Sequence, residues 1–386
     1  MVAGGGPACY EYLKAFRENS SIGAFEAPLF TDATVIGEYM SGPYILLNPV
    51  AANSRPGYFR PAIVLRIEAV PTNVRMPMDA TDTSRYHGGG LIDEVAALVS
   101  LSLGMRLRAG AVDREFGLAD RGRPIAFQLE PWPESKPITR APRFPWAIGE
   151  HELSSESLFG LDRMDRLTPT EANALIKAAR SYQQGLWIGE WEPAQAWLHF
   201  VSAIGAVMNF GKSRDATDAE LLKFYAPDIA KKIKLAGGEP LIESLAPSLR
   251  LLFSSTRKFC DFIVSHLPEP PTRRPPAGFQ IAWNPDAIKD MLRVIYGHRS
   301  KALHEGTPFP MPMCMPPFTA STSWQAPMEL PPGLAATMHQ GAWLNSDTPM
   351  HLHIFEYVVR ASICRWWAGR SLGDDASEQK DNTSTT

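Results

Sequence analysis

An arginine and a histidine near the end of one amphipathic segment are the residues best suited to chemistry in this chain. Arg299 and His304 lie five positions apart in the segment from Asn284 to Gly306. A histidine titrates near neutral pH and can move a proton, while an arginine binds a phosphate and stabilises the charge that develops on it. Such a pair beside a cleft supplies what metal-free cleavage of RNA requires, because the 2′-hydroxyl of RNA is itself the nucleophile.

The apolar stripe of this segment predicts where the arginine lies. The stripe recurs at helical spacing and consists of Ile288, Met291, Leu292, Ile295 and Tyr296. One further turn brings the stripe to Arg299, on the buried or partner-facing side of the predicted helix. Burying an unpaired guanidinium is costly, so we expect Arg299 to have an anionic partner or to face a cleft or a subunit interface. Gly306 predicts a left-handed cap that ends the helix near His304.

The spacing of the pair is weak evidence by itself, because Arg293 and His298 form a second match just upstream. Arg293 falls beside the stripe, whereas Arg299 falls on it. The alternative interpretation of Arg299 and His304 is structural. In that case Arg299 forms a helix-terminal ion pair, and the histidine lies at the negative end of the helix dipole.

The residues from Tyr296 to Gly306 read Tyr-Gly-His-Arg-Ser-Lys-Ala-Leu-His-Glu-Gly. They resemble the Y-x-x-R-S-x-x-x-H-x-G signature of HEPN domains, and are most similar to the ApeA-like branch found in bacteria. The resemblance covers residues 161–367. It implies a helical bundle that forms a homodimer, in which two arginine–histidine pairs line one cleft. It also implies a metal-independent endoribonuclease that acts on RNA in toxin–antitoxin or anti-phage defence, with an antitoxin or regulatory protein as a further partner.

This resemblance also implies roles for individual residues. Arg299 and His304 are the expected catalytic pair, and the candidates for substrate binding are Tyr296, His298, Ser300 and Lys301. Many relatives carry a glutamate on an earlier helix, where this chain has Gly205. Two alternatives to catalysis therefore stay open. One is a non-catalytic HEPN module that binds RNA, a nucleotide or a protein partner, and the other is a dimerisation domain in which Arg299 is paired across the interface.

The elements that must position these residues change in character along the chain. Short aliphatic runs at 44–47, 62–67 and 124–129 predict strands, and the helical spacing of apolar residues at 91–107 predicts a helix. Five prolines between residues 130 and 145 predict a linker. We therefore expect an α+β N-terminal domain of unknown role at residues 1–150.

Helical signals dominate the rest of the chain. The stretch from Thr168 to Glu171 is a capping box, and further helix starts are expected near Pro193, Pro240, Asn284 and Pro349. These signals predict an all-α region at residues 151–370, and the resemblance implies that it is a HEPN-like helical bundle. A polar, disordered tail is expected at residues 371–386.

Composition limits the function classes. The net charge of −3 over 386 residues gives no overall basic field, so RNA contact requires a local patch. The four cysteines show no CxxC spacing, and no carboxylate or cysteine completes a ligand set with His339, His351 and His353, so we expect no metal and no cofactor. The uncharged, apolar stretch at 197–211 is too short to cross a bilayer.

Neither the start of the chain nor its glycine-rich stretch at residues 87–90 has the features of a targeting signal or a phosphate site. The N-terminus lacks the basic and apolar segments of a secretory signal, so a cytoplasmic location is expected. The sequence His-Gly-Gly-Gly at residues 87–90 precedes Asp93 and Glu94, which would repel a phosphate. We interpret it as a turn before a helix.

Overall fold

The computed structural model describes most of the chain and divides it into two compact units. The described residues are 5–48, 59–70, 81–117, 122–127, 141–211, 217–319, 326–332, 336–338 and 340–371. Unit 1 comprises Met1–Ala203 and Ile363–Thr386, and unit 2 comprises Ile204–Ser362. The boundary expected near residue 150 lies within unit 1. Most of the predicted linker at 130–145 and nearly all of the predicted tail lie outside the described residues.

The helices occur along the whole chain and the strands mostly before residue 155. The described helices are α1 (Ala8–Glu18), α2 (Leu91–Leu103), α3 (Pro169–Ile188), α4 (Pro193–Val207), α5 (Asp218–Tyr225), α6 (Pro227–Ser265), α7 (Pro285–His304), α8 (Met311–Cys314) and α9 (Leu352–Ser371). The described strands are β1 (Gly23–Thr31), β2 (Thr34–Gly37), β3 (Tyr39–Ser41), β4 (Tyr44–Leu47), β5 (Arg60–Ala69), β6 (Arg108–Ala109), β7 (Arg114–Gly117), β8 (Ile125–Ala126), β9 (Glu150–Leu153), β10 (Ala336–Met338) and β11 (Gly341–Trp343). The expected order, an α+β region followed by a mostly helical region, is confirmed at this coarse level.

Unit 1 is organised around an antiparallel sheet. Among the described residues, seven strands form this sheet in the order β3-β4-β5-β1-β7-β8, with β6 also paired to β1. β1 lies at the centre and pairs with β5 along its whole length, with a bulge between Leu29 and Phe30. The predicted strands at 44–47 and 62–67 are confirmed as β4 and as part of β5. The strand predicted at 124–129 is confirmed only as the two residues of β8, and residues 128 and 129 lie outside the description.

Helix boundaries in unit 1 follow local capping chemistry. α3 begins at Thr168, whose hydroxyl accepts from the backbone N–H of Glu171, so the predicted capping box is confirmed. α2 ends at Gly104, which adopts the left-handed conformation with φ of +72°. This cap makes α2 shorter than the predicted helix at 91–107, because the glycine turns the chain before Leu107.

The described part of unit 2 is mostly helical, and it also contains the two-stranded sheet formed by β10 and β11. α5 packs on α6 around a cluster of buried residues, Leu221, Leu222, Ala230, Ile242 and Ala246. α6 is interrupted at Gly237 and Gly238, so the helix start predicted at Pro240 corresponds to its second half. The second half packs against α7, the helix that carries the candidate residues. Within the described ranges, none of the helices has the length and hydropathy that a membrane span requires.

Candidate functional site

The start of α7 and its buried face agree with what the sequence predicts. The side chain of Asn284 accepts from the backbone N–H of Ala287 at 2.9 Å, and Pro285 occupies the first helical turn. Ile288, Leu292 and Ile295 are completely buried. The predicted stripe is therefore confirmed as the face with which α7 packs against the interior of unit 2.

The end of α7 also forms as predicted. The carbonyl of Lys301 accepts from the backbone N–H groups of Glu305 at 2.8 Å and Thr307 at 3.3 Å. Gly306 has a φ of +70°, the left-handed conformation that ends many helices. His304 is the last helical residue, and its side chain is exposed to solvent. The chain thus presents a histidine at the helix end, where cationic groups are stabilised by the helix dipole.

Arg299 lies half-buried one turn earlier. Its guanidinium lies 5.4 Å from the centre of the Tyr296 ring, and that ring packs against Phe259 with centroids 5.1 Å apart. Among the residues that the structure describes, Arg299 forms no ion pair. The helix-terminal ion pair of the structural alternative is therefore not formed within the described part of the chain. The Tyr296 ring contacts the guanidinium of Arg299, whose hydrogen-bond donors have no acceptor within the described part of the chain.

The helix directs Arg299 and His304 to different sides. Residues five positions apart differ by about 140° around the axis and about 7.5 Å along it. Arg299 shares its side with Tyr296 and Leu303, whereas His304 shares its side with Ser300 and Lys301. Lys301 is exposed and Ser300 is half-buried. One copy of α7 thus does not bring the two candidate catalytic side chains to the same point.

His298 has a different environment from His304. Its Nε2 lies 2.7 Å from the carbonyl oxygen of Asp347, and its ring packs beside Phe309 at 5.9 Å. Burial lowers the pKa of His298 below the ordinary value, so the ring donates to this carbonyl in its neutral form at neutral pH. Of the two histidines in the motif, His304 is the one that is open to a substrate.

Sequence reasoning missed the residue that supports the arginine. Phe259 is completely buried on α6 and holds the Tyr296 ring against which Arg299 lies. Phe259 is an ordinary apolar residue of a long helix, so its sequence context gives no signal for this role. The contact with Tyr296 depends on the packing of α6 against α7, which no local pattern contains.

No group of three or more potential metal ligands occurs among the described residues. His351 and His353 are buried, with ring centroids 6.0 Å apart, and burial lowers the pKa of both rings. His339, the third histidine considered in the sequence, lies outside the described residues.

Comparison with known proteins adds no relative to this description. Neither the family models, nor the curated proteins, nor the solved structures give a match to this chain. The HEPN resemblance therefore rests on the residues from Tyr296 to Gly306 and on the order of the helices.

Proposed function

We propose that this chain is a metal-independent endoribonuclease of the HEPN type, with Arg299 and His304 as its catalytic pair. One observation carries the proposal: the end of α7 exposes a histidine five residues after an arginine that has no ion-pair partner among the described residues. Lys301 adds an exposed positive charge between them. These cations supply the local patch that RNA binding needs in a chain with a net charge of −3.

The chemistry follows from the two side chains. His304 accepts the proton of the 2′-hydroxyl or protonates the leaving 5′-oxygen, and Arg299 donates to the phosphate as negative charge builds on it. The attack breaks the P–O5′ bond and leaves a 2′,3′-cyclic phosphate. Tyr296 holds the guanidinium of Arg299 from one side, which limits the orientations that the arginine must give up on binding.

A homodimer accounts for the separation of the pair on the helix. In a two-fold dimer formed through the end of α7, the Arg299 of one copy approaches the His304 of the other. Leu303 lies between the two residues in sequence and is 51% exposed, which is unusual for a leucine in a helix that otherwise buries its apolar stripe. Contact between two copies would bury this side chain.

The activity is tested by incubating the purified chain with total RNA in EDTA. Wild type is expected to cleave, and Arg299→Ala and His304→Ala are each expected to lose at least about 10²-fold in rate, the usual contribution of an acid–base group. Arg273→Ala is the matched control, because Arg273 is exposed in the same unit. Arg293→Ala is a less suitable control, since Arg293 packs over the Phe224 ring at 5.9 Å. Cleavage of DNA at a similar rate would reject the mechanism, because DNA has no 2′-hydroxyl.

Mixing the two inactive variants tests whether one site is built from two copies. In a mixed dimer of Arg299→Ala and His304→Ala, one of the two sites regains an intact arginine and histidine. Random mixing is then expected to recover roughly a quarter of the wild-type rate. Mixtures that stay inactive, or a chain that light scattering finds to be a monomer, would reject the shared site.

A non-catalytic HEPN module is the second candidate, and Gly205 favours it. Gly205 lies in α4 where many HEPN relatives carry a glutamate, and a Cβ at this position would meet no atom within 4 Å. Packing therefore does not exclude a larger side chain, and the glycine is not a steric requirement. Wild type that binds RNA but leaves it as intact as His304→Ala does would establish this second function, and Gly205→Glu would then test whether the acid restores cleavage.

A further inference from the structure

Arg293 is a cation of α7 to which the candidate catalytic pair assigns no role. It lies six residues before Arg299 and is half-buried. Its guanidinium lies 5.9 Å from the centre of the Phe224 ring. Within the part of the chain that the structure describes, it forms neither an ion pair nor a hydrogen bond. Because an arginine stays charged throughout the physiological pH range, α7 carries here a cation without a counter-ion.

The other buried and half-buried arginines that are described in unit 2 all have carboxylate partners. These pairs are Arg257 with Asp261 at 3.3 Å, Arg274 with Glu329 at 2.6 Å and Arg360 with Glu356 at 3.2 Å. A guanidinium that loses water on burial is costly unless an anion compensates for the loss. Arg293 and Arg299 depart from this pattern, and both lie on α7.

The terminal nitrogens of Arg293 are the atoms that a ligand can reach. Its Nε is shielded from solvent, whereas Nη1 and Nη2 keep contact with solvent. Lys289, one turn earlier, lies 4.9 Å from the centre of the same Phe224 ring. The carboxylate of Asp261 is shared between Lys289 at 3.4 Å and Arg257 at 3.3 Å. This group of three cations thus has one paired carboxylate, and the charge of Arg293 is left over.

The helix places Arg293 on the same side as His304. Eleven residues make about three turns, so the two side chains differ by about 20° around the axis and lie about 16.5 Å apart along it. The side between them is formed by Gly297 and Ser300. Gly297 is exposed, and a Cβ there would meet no atom within 4 Å. Small residues therefore leave this side of α7 open from Arg293 to His304.

The stretch that carries both residues has a one-sided charge. Residues 291–304 contain two arginines, one lysine and two histidines, and neither Asp nor Glu. Asp290, directly before this stretch, is exposed and forms no ion pair among the described residues. Nucleic acids carry a negative charge at each phosphate, and proteins bind these phosphates mainly with arginine and lysine. A row of cations without acids is complementary to such a strand.

We propose that Arg293 binds a second phosphate of the RNA strand, a few nucleotides away from the phosphate that is cleaved. This inference rests on the proposed ribonuclease function and adds a binding residue to it. Nη1 and Nη2 donate to the phosphate oxygens, and the Phe224 ring packs beside the guanidinium. From this phosphate the strand passes Gly297 and Ser300 to reach His304. Arg293 contacts the substrate away from the reacting atoms, so it contributes to binding and not to proton transfer.

Binding of a 2′-O-methyl oligouridylate of about ten nucleotides to the full chain tests this proposal without cleavage, since this strand has no free 2′-hydroxyl. By fluorescence anisotropy, Arg293→Gln is expected to raise Kd at least about tenfold, the contribution of one charge-assisted hydrogen bond. It should also reduce the slope of log Kd against log salt concentration by about 1. Arg293→Lys keeps the charge and should recover part of the affinity. Arg273→Gln removes the same charge from an exposed position of unit 2 and should change neither quantity.

Cleavage of two substrates separates the second phosphate from a general effect on the fold. A dinucleoside monophosphate contains only the phosphate that is cleaved, so Arg293→Gln should cleave it at the wild-type rate. On the RNA form of the longer strand, kcat/KM should fall at least about tenfold. Circular dichroism checks that each variant folds. Equal losses on both substrates, or a loss on neither, would overturn the proposal, as would an Arg273→Gln variant that weakens binding as much as Arg293→Gln.

The binding and cleavage measurements also distinguish this inference from the proposed function. A wild type that cleaves no RNA but binds the longer strand more tightly than Arg293→Gln does would reject the cleavage and support the second phosphate site. A wild type that cleaves RNA, together with an unchanged Kd in Arg293→Gln, would reject the second phosphate site alone. A chain that does not bind the strand up to about 100 μM would overturn both.

Discussion

Two helices of this chain carry a charged residue near their buried face, and the two residues have opposite surroundings. Glu94 on α2 in unit 1 is 2% exposed and accepts from Ala8, Cys9 and His87. Arg299 on α7 in unit 2 is half-buried and contacts the Tyr296 ring, with no ion pair among the described residues. The same sequence feature, a charge within an apolar stripe, therefore marks an internal support in one unit and, in the other, a cation without an ion pair among the described residues.

The difference has a physical basis. A buried carboxylate loses its water and must be satisfied by protein donors, or its burial costs several kcal/mol. Arginine has a long apolar stem that can pack while its guanidinium stays near solvent. A half-buried arginine can therefore remain without an anionic partner until a phosphate or a second copy of the chain supplies one.

Of the variants that test this comparison, Glu94→Ala is expected to cause a large loss in the free energy of unfolding. The substitution leaves the amides of Ala8 and Cys9 and the Nε2 of His87 without an acceptor in a buried place. We expect the free energy of unfolding to fall by about 3 kcal/mol in urea denaturation followed by tryptophan fluorescence. Glu18→Ala, at an exposed position of α1, is the control and should stay within about 0.5 kcal/mol. Equal losses in both variants would contradict the supporting role of Glu94.

The buried histidines of unit 2 are expected to make the free energy of unfolding fall as the pH falls. Burial lowers the pKa of His351 to about 4. Because the folded-state pKa lies below the unfolded value of about 6.5, the unfolded chain binds the extra proton first, and stability falls as pH falls between these values. Between about pH 7 and about pH 5, His351 is expected to account for about 2 kcal/mol of lost stability.

The acid effect is measured by urea denaturation at both pH values in wild type and in His351→Gln. The variant should lose about 2 kcal/mol less than wild type over this range, because it lacks the titrating ring. His304→Gln is the matched control, since the His304 side chain is exposed, and it should follow wild type. A wild-type protein whose stability does not change between the two pH values would contradict a neutral, buried His351.

A smaller effect is expected at the cap of α7. Gly306 has a φ of +70°, and a Cβ there would meet no atom within 4 Å, so the cost of Gly306→Ala comes from the backbone alone. We expect a loss of about 1 kcal/mol in the free energy of unfolding. Gly306→Asn should cost less, because asparagine tolerates this conformation better than alanine. Equal stability of wild type and Gly306→Ala would show that α7 ends in another way.

The smallest effect is expected for Arg299→Ala, and it tests the comparison most directly. Because Arg299 has no ion pair among the described residues, its removal should change the free energy of unfolding by no more than about 0.5 kcal/mol. Arg274→Ala is the contrasting variant, because Arg274 lies 2.6 Å from the buried carboxylate of Glu329. Its removal should lower the free energy of unfolding by about 3 kcal/mol. A similar loss in both variants would indicate that Arg299 supports the fold.

Much of the helical framework was predictable because the signals are local. The Thr168 and Asn284 caps, the stripe of α7 and the left-handed Gly306 each depend on residues within a few positions of one another. Hydrogen bonds between side chain and backbone at such short separation form in the same way in most contexts. The bounds of α7 therefore followed from the sequence.

The central strand of unit 1 could not be predicted in the same way. β1 contains Pro28 and Glu26, which interrupt an apolar strand pattern. Glu26 is nevertheless buried, because Arg66 on β5 and Arg114 on β7 lie 3.4 Å and 3.0 Å from its carboxylate. These partners come from neighbouring strands far along the chain, so tertiary pairing overrides the local pattern.

The sequence by itself determined the residue types, the helix that carries Arg299 and His304, and the point where this helix ends. Only the tertiary structure decided which charges are satisfied internally. Glu94 accepts hydrogen bonds from His87 and from the start of α1. Arg299 instead lies over the ring of Tyr296, which packs against Phe259. Periodicity fixes the face of a helix on which a residue lies, but the partner on that face comes from distant parts of the chain, and its identity depends on packing.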